Sequence, residues 1–403
     1  AADEADSTNK VKKQIKQTAK NNGTSSNVFN DDKNSNGIKN KVLVAILCML
    51  FFVVGILVGI GISPKTSKPE TDGKENVRPG SSHTPEETPT IYPMFKTEPI
   101  CTPSELPHEQ PLNFCNEDFE KAIREAINLA DDKPITIEIL NNEKKLDLSE
   151  KGLSNISDIS ALGGLTNLTE LDWSYNKNIS IGALANLPNL QTLDLSGNGI
   201  ISIGELGSLP NLQTLNLSSN NISDISALGN LTNLQTLNWS YNKIIYISTL
   251  RNLTNLQTLN LSGNNISDIS ALRSLTNLQT LKTLHLSGNK ISDISALANL
   301  TNLQTLDLSG NGISDISALE SLTNLKTLKT LHLSSNKISD ISALANLTNL
   351  QTLYLSNNNI SDVSLLGNLL GLRWLYLGKN KLAEQQVEEL RRKLPQAQII
   401  LCE

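Results

Sequence analysis

The sequence predicts an α/β solenoid: a curved stack of coils with a parallel β-sheet on its concave face, helical caps at both ends, and one transmembrane helix ahead of it. Three observations predict this fold class. A leucine frame with a fixed Asn recurs every 22 or 25 residues, amphipathic segments stand at both ends of the repeats, and Val42 to Ile62 is a 21-residue run without a charge. Fixed-period self-similarity is the mark of a stacked architecture in which each unit buries its apolar face only against its neighbours.

The elements divide the chain at 1–41, 42–62, 63–100, 101–145, 146–382 and 383–403. Residues 1–41 are rich in Asn, Lys and Ser with almost nothing to bury, which predicts a disordered cytoplasmic tail, and Ala1 in place of Met predicts a trimmed start. Residues 42–62 are long enough, at 1.5 Å per residue, to cross a hydrocarbon layer of about 30 Å, which predicts a transmembrane helix. Lys33, Lys39 and Lys41 precede that run, and Lys65, Lys68, Lys74 and Arg78 follow it among acidic residues. The positive-inside bias therefore predicts a single-pass protein of the cell membrane with a cytoplasmic N-terminus and extracellular repeats. Residues 63–100 carry Pro64, Pro69, Pro79, Pro85, Pro89, Pro93 and Pro99 among Thr, Ser, Glu and Lys, the composition of an extended stalk.

Within 101–145 the segment from Phe114 to Ala130 places Phe119, Ala122, Ile123, Ala126, Ile127 and Ala130 on one helical face, with Asn116 in position to cap it. Pro134 is expected to stop this helix, and Ile135 to Ile139 to run extended toward a first strand at Lys145 to Leu148. A solenoid end has one apolar face with no neighbouring coil, and a helix here would cover it. Of the four cysteines, Cys48 falls in the apolar run and Cys402 at the far end. Cys101 and Cys115 are left as a candidate disulfide on the oxidising side.

The frame LxxLxLxxN fills residues 146–382. Its Asn recurs at Asn176, Asn198, Asn220, Asn242, Asn264, Asn289, Asn311, Asn336, Asn358 and Asn380, and a weaker first copy has Lys151 at that place, giving about 11 coils. In one copy Leu234 and Leu237 should point inward, and Gln235, Thr236, Asn238 and Ser240 toward the concave side. The Asn side chains should satisfy backbone groups freed by the turn and form a ladder of amides. Segments such as ISDISAL are too short for an α-helix and predict a turn with a brief 3₁₀ piece on the convex side. Their Asp residues repeat at identical places, which a turn-capping role explains without catalysis. The extra three residues at Leu281-Lys282-Thr283 and Leu328-Lys329-Thr330 should bulge on the convex side or at the strand entrance and leave the concave face undisturbed.

The frame LxxLxLxxNxIxDIxxL, with copies of 22 residues, resembles the leucine-rich repeats of the bacterial internalin-type family. The stretch EDFEKAIREAINLADDKPIT before KKLDLSEKGL is similar to the helical N-terminal caps of secreted repeat proteins of Gram-positive bacteria, and VEELRRKLPQAQI resembles their closing helix and strand. The resemblance implies a non-enzymatic scaffold that binds a protein partner. It departs from the family in anchoring: internalins commonly carry a C-terminal sorting signal, the sequence ends at Glu403 without one, and 42–62 is expected to serve instead.

Trp173 and Trp239 stand at inward positions and predict core filling, each needing an acceptor for its indole N–H. The outward column reads Asp172, Asp194, Asn216, Asn238, Asn260, His285, Asp307, His332, Tyr354, Tyr376. His285 and His332 lie two coils apart, about 10 Å, too far to share a metal ion, and read as isolated solvated side chains. Interface energy concentrates in aromatic and Arg anchors, so Tyr354, Arg373, Trp374 and Tyr376 are the candidate ligand-binding residues. Trp374 either projects beside the tyrosines or folds against a closing helix over Glu384 to Leu394.

No phosphate-binding Gly loop, HExxH or GxSxG appears, and the aspartates follow the repeat, so neither catalytic residues, nor a metal site, nor a cofactor is expected. Eight Lys against five acidic residues in 1–41, within a net charge of -6, leave the repeats acidic and argue against nucleic acid. The expected function is a cell-surface-displayed recognition module that binds a protein partner through the concave face, with the membrane engaged through 42–62. The alternatives are a structural cell-envelope element or a polysaccharide- or peptidoglycan-binding module, since Trp374 and the tyrosines would suit carbohydrate.

Overall fold

The computed structural model describes residues 111–114, 116–154, 162, 165–177, 181–277, 280–324 and 327–401. Each coil contributes one three-residue strand. In chain order these are β1 (Lys145–Asp147), β2 (Glu170–Asp172), β3 (Thr192–Asp194), β4 (Thr214–Asn216), β5 (Thr236–Asn238), β6 (Thr258–Asn260), β7 (Thr283–His285), β8 (Thr305–Asp307), β9 (Thr330–His332), β10 (Thr352–Tyr354), β11 (Trp374–Tyr376) and β12 (Gln398–Ile400). They form one 12-stranded sheet in sequence order. Every pairing is parallel and in register, so the central leucines Leu146, Leu171, Leu193 and onward to Leu375 make one inward column that ends on Ile399.

Behind the sheet each coil supplies a closed ring of apolar side chains. In the coil from Leu212 to Leu231, Leu212, Leu215, Leu217, Ile222, Ile225, Leu228 and Leu231 are at most 4% exposed. Each such side chain contributes about 1.5–3 kcal/mol of burial. The convex side returns through short 3₁₀ helices, typically five residues long as in Ser226–Asn230. An Asp two residues before the Ser of Ser226, Ser270, Ser295, Ser317, Ser342 and Ser364 accepts that residue's backbone N–H at 2.7–2.9 Å. In the two longer coils the 3₁₀ segment lengthens to eight residues, Ser270–Asn277 and Ser317–Asn324. The insertions are thus absorbed on the convex side while the strand register is unbroken.

The coils are tied at the turn that follows each strand. Asn242 donates its amide N–H groups to Leu217 O at 2.8 Å, to Trp239 O and to Ser240 O at 3.3 Å, and its Oδ1 accepts from Ile222 N at 3.0 Å. Two of those four partners belong to the preceding coil. Equivalent bonds repeat from Asn176 to Asn380. In the first coil there is no earlier turn to bind, and Lys151 instead pairs with Glu125 of the cap at 2.9 Å. The residue before each ladder position is left-handed: Glu150, Tyr175, Ser219, Tyr241, Ser335, Asn357 and Lys379 have φ of 55–59°, and Gly197, Gly263, Gly288 and Gly310 take the same place. The turn therefore imposes a conformation that L-residues adopt at some cost.

At the N-terminal end helix α1 (Glu117–Ala126) begins on Asn116, whose side chain accepts from Phe119 N at 2.8 Å. It is shorter than the periodicity predicts. Asn128 turns left-handed at φ 53°, Leu129 N bonds back to Arg124 O at 2.9 Å, and the guanidinium of Arg124 holds Lys133 O at 2.6 Å. Phe119, Ala122 and Ile123 are buried, with the Phe119 ring 5.5 Å from that of Trp173. Against the expectation of extended chain over Ile135 to Ile139, Ile137–Asn141 is a short helix α2 capped by the Thr136 hydroxyl on Ile139 N at 3.2 Å. At the other end helix α3 (Glu384–Lys393) buries Val387 and Leu390 against the convex segment Ser364–Asn368, and β12 covers the edge of β11.

The membrane part of the expected fold class is corrected. Among the described residues no helix is long and apolar enough to cross a membrane. The longest, α1 and α3, have 10 residues each, roughly half the span that a hydrocarbon layer of about 30 Å requires. Residues 42–62 lie outside the described residues, as do Cys101 and Cys115. The architecture is a parallel-sheet solenoid with helical caps, and no helix among its described residues supports the expected transmembrane helix, the membrane as partner or the single-pass placement.

Removing a ladder amide strands several buried backbone groups at once, each costing about 1–3 kcal/mol. Asn242→Ala is expected to lower the unfolding free energy in a urea titration by about 3 kcal/mol. Asn233→Ala removes only an exposed bond to Pro210 O and is expected to cost under about 0.5 kcal/mol.

Candidate functional site

Three outward columns cross the concave face. The residue before the strand is exposed at Lys282, Gln304, Lys329, Gln351 and Arg373 and half-buried at Gln257. The first strand residue is Thr from β3 to β10 and Trp374 in β11. The third strand residue is the column that runs from Asp147 and Asp172 to Tyr376.

That third column has a structural duty. At Asp147, Asp172, Asp194, Asn216, Asn238, Asn260 and Asp307 a side-chain oxygen accepts the backbone N–H two residues on, at 2.8–3.2 Å. This bond draws the following Ser into the turn, and Ser240, expected to face outward, is buried at 5% exposure. The Asp and Asn of the column are thus explained by the turn they fold. At His285, His332, Tyr354 and Tyr376 the acceptor is replaced by a ring. A hydrogen bond worth about 0.5–1.5 kcal/mol is given up there.

The rings come together. Tyr354 and Tyr376 stack with centroids 4.3 Å apart and planes at 12°, and His332 stacks on the other face of Tyr354 at 3.8 Å and 21°. Spacing in the sequence brings the two tyrosines together; the structure adds His332 as a third member. His332 is half-buried rather than solvated, and His285 is not isolated either, since its Nδ1 lies 3.8 Å from Asp307 Oδ2. Trp374 shares the outward face of β11 with Tyr376, because Leu375 between them is buried. Helix α3 lies on the convex side, so Trp374 belongs to the concave face, with exposed Arg373 before it. All four anchor residues therefore fall on β10 and β11 or directly before β11.

Trp173 and Trp239 are fully buried, as expected, but among the described residues neither indole N–H has an acceptor. The exposed Tyr175 and Tyr241 lie over Gly197 and Gly263 of the next coil, where a Cβ would come within 2.7 Å and 2.6 Å of the ring. They are separate from the stack. Among the described residues no group of three or more His, Cys, Asp or Glu could hold a metal ion.

Asp307 and His332 are neighbouring titrating groups in the column. Burial works to raise the pKa of Asp307, but the approach of His285 and the bonds from Ser309 hold its carboxyl below the usual range. Burial lowers the pKa of His332, with His285 acting in the same sense and Asp307 against it. A His whose folded pKa lies below its unfolded value of about 6.5 takes up its proton more readily in the unfolded chain, so stability falls as pH drops through that value. Asp307 contributes in a lower window, where stability is lost as pH falls through its depressed folded pKa. Between pH 7.5 and pH 5 the melting temperature is expected to fall more for the wild type than for His332→Gln. Parallel profiles would remove His332 as the cause.

The family models for leucine-rich repeats match residues 143–200 and, as two-copy windows, residues from 188–230 through 326–368. An internalin (inlF) from Listeria monocytogenes is 33% identical, with 72% of this chain and 91% of that chain covered at a TM-score of 0.60. The functional domain of InlJ from the same organism is 24% identical, covering 71% of this chain and 59% of that one at a TM-score of 0.58, a likeness of fold alone. The Arabidopsis receptor kinase HAESA, solved with the peptide hormone IDA and a co-receptor, is 30% identical, covering 60% and 43% of the two chains at a TM-score of 0.51. No curated protein matches the sequence.

Proposed function

The chain belongs to the internalin-type leucine-rich-repeat family, and we propose that it recognises a protein partner through the concave face of its solenoid, with Tyr354, Arg373, Trp374 and Tyr376 as the principal contacts. Proteins of this family are non-catalytic binding scaffolds, and HAESA, to which the chain is similar, is in complex with a peptide hormone and a co-receptor.

The observation that carries the residue assignment is the surrender of the turn bond. From Asp147 to Asn260 the third column accepts the N–H of the residue two on, and that requirement explains each Asp or Asn there. Tyr354 and Tyr376 are consecutive positions where the turn forms without this help. Stacking of these half-buried rings offsets part of the lost bond, but recognition gains an anchor there, and a local rule broken in adjacent coils marks a functional position. Arg373 and Trp374 extend the same patch.

Tyr354→Asn combined with Tyr376→Asn separates folding from binding, because Asn restores the side-chain acceptor that the other coils use. The double variant is expected to melt within a few degrees of the wild type. Binding of the labelled full chain to a panel of cell types is expected to weaken more than tenfold, about 1.4 kcal/mol. Protease treatment of the cells should abolish wild-type binding. Unchanged affinity in the folded double variant would move the contacts elsewhere, and binding that survives protease would favour a carbohydrate ligand.

A further inference from the structure

We infer that the partner presents an acidic, proline-rich segment in polyproline II conformation, laid along the C-terminal half of the concave face; this rests on the reading of that face as the recognition surface. Three columns give the shape. The Thr column forms a low floor, flanked by the Gln, Lys and Arg column on one side and the stacked rings of His332, Tyr354 and Tyr376 on the other. The two flanks are three residues apart along each strand, about 10 Å. Trp374 replaces the floor Thr in β11 and closes the trough at that end.

The cations are spaced in a way that selects a backbone. Lys282, Lys329 and Arg373 alternate with Gln304 and Gln351, so a positive charge appears at every second coil, about 10 Å apart at ordinary strand spacing. All three are exposed, and among the described residues none forms an ion pair. Three residues of polyproline II advance about 9 Å and complete one turn, so side chains at every third position fall on one edge and keep pace with the cations. A β-strand also advances about 10 Å in three residues, but its side chains then point to opposite faces, and every second carboxylate would turn away. On another edge of the same polyproline helix, proline rings meet the tyrosine stack, the pairing by which aromatic-lined grooves take proline-rich segments. The opposite end of the sheet has the wrong charge for this ligand, carrying Glu170, Asp172 and Asp194.

Fluorescence anisotropy of the full chain with two labelled 15-residue peptides tests the inference. One is Pro-Pro-Glu repeated five times; the other has the same composition with its glutamates in a single block. The periodic peptide is expected to bind at least fivefold tighter. Lys282→Gln with Lys329→Gln and Arg373→Gln should weaken it more than tenfold and flatten its salt dependence, and Tyr354→Asn with Tyr376→Asn should weaken it as well. Equal affinity for the two peptides, failure of both to bind, an unaffected triple-Gln variant, or equal competition by heparin as a general polyanion would each overturn the inference. If it falls while the tyrosine variant still loses cell binding, concave-face recognition stands without this ligand. If the tyrosine variant keeps cell binding too, the assignment of the contacts to Tyr354 and Tyr376 falls with it.

Discussion

The side-chain amide of the ladder Asn is the contact on which the solenoid depends. Strands of three residues supply few backbone bonds between coils, and the carbonyls of Leu195 and Leu217, at the ends of two successive strands, are both bound by the side-chain amide of Asn220. The amide of Asn220 bonds three carbonyls and two N–H groups, partly in its own coil and partly in the preceding one. No backbone group could do this, because the partners converge from two chain levels. The apolar ring behind the sheet makes stacking favourable, but burial is non-directional, and the amide bonds fix the register.

Because that fixing occurs inside the turn, the concave surface is released from it. The strand leucines and the ladder must recur, whereas the residue before each strand can be Gln, Lys or Arg without touching either. The two insertions obey the same division: each lengthens a convex 3₁₀ segment to eight residues and leaves the facing strands paired in register. Variation is admitted where no amide or leucine has to meet its counterpart one coil away.

The division also explains which parts were legible in the sequence. Ladder, strand register, apolar ring and convex turns are imposed by contacts that repeat, and repetition makes them visible as spacing. The caps were only partly legible because they are solved once. An apolar face continuing to Ala130 suggested a longer helix, but a left-handed Asn128 and the Arg124 clamp end it at Ala126. The Ile137 to Leu140 run fits either period, and the Thr136 cap decides for helix. The apolar run at 42–62 indicated a span that no described helix supplies. Among the candidate contacts, the approach of Tyr354 to Tyr376 follows from their shared column. The place of His332 against Tyr354 does not, since charge and spacing alone left that histidine in solvent. Four glycines in register at Gly197, Gly263, Gly288 and Gly310 were the available signal for the left-handed position, obscured by seven coils that place other residues there.

The ring stack has a consequence for recognition that follows from how it is held. Strands lie about 4.8 Å apart, yet the centroids approach to 4.3 Å and 3.8 Å, so the rings lean together across the concave side. Each ring then occupies one orientation before any partner arrives. An exposed side chain that has to be fixed on binding costs about 0.5–1.5 kcal/mol, and a stack already formed has met much of that cost in folding. Rigid placement of the coils is what allows this, because a ring in a mobile loop could lean away again. The same amide ladder that fixes the register of the coils therefore also presets the geometry of the rings they display.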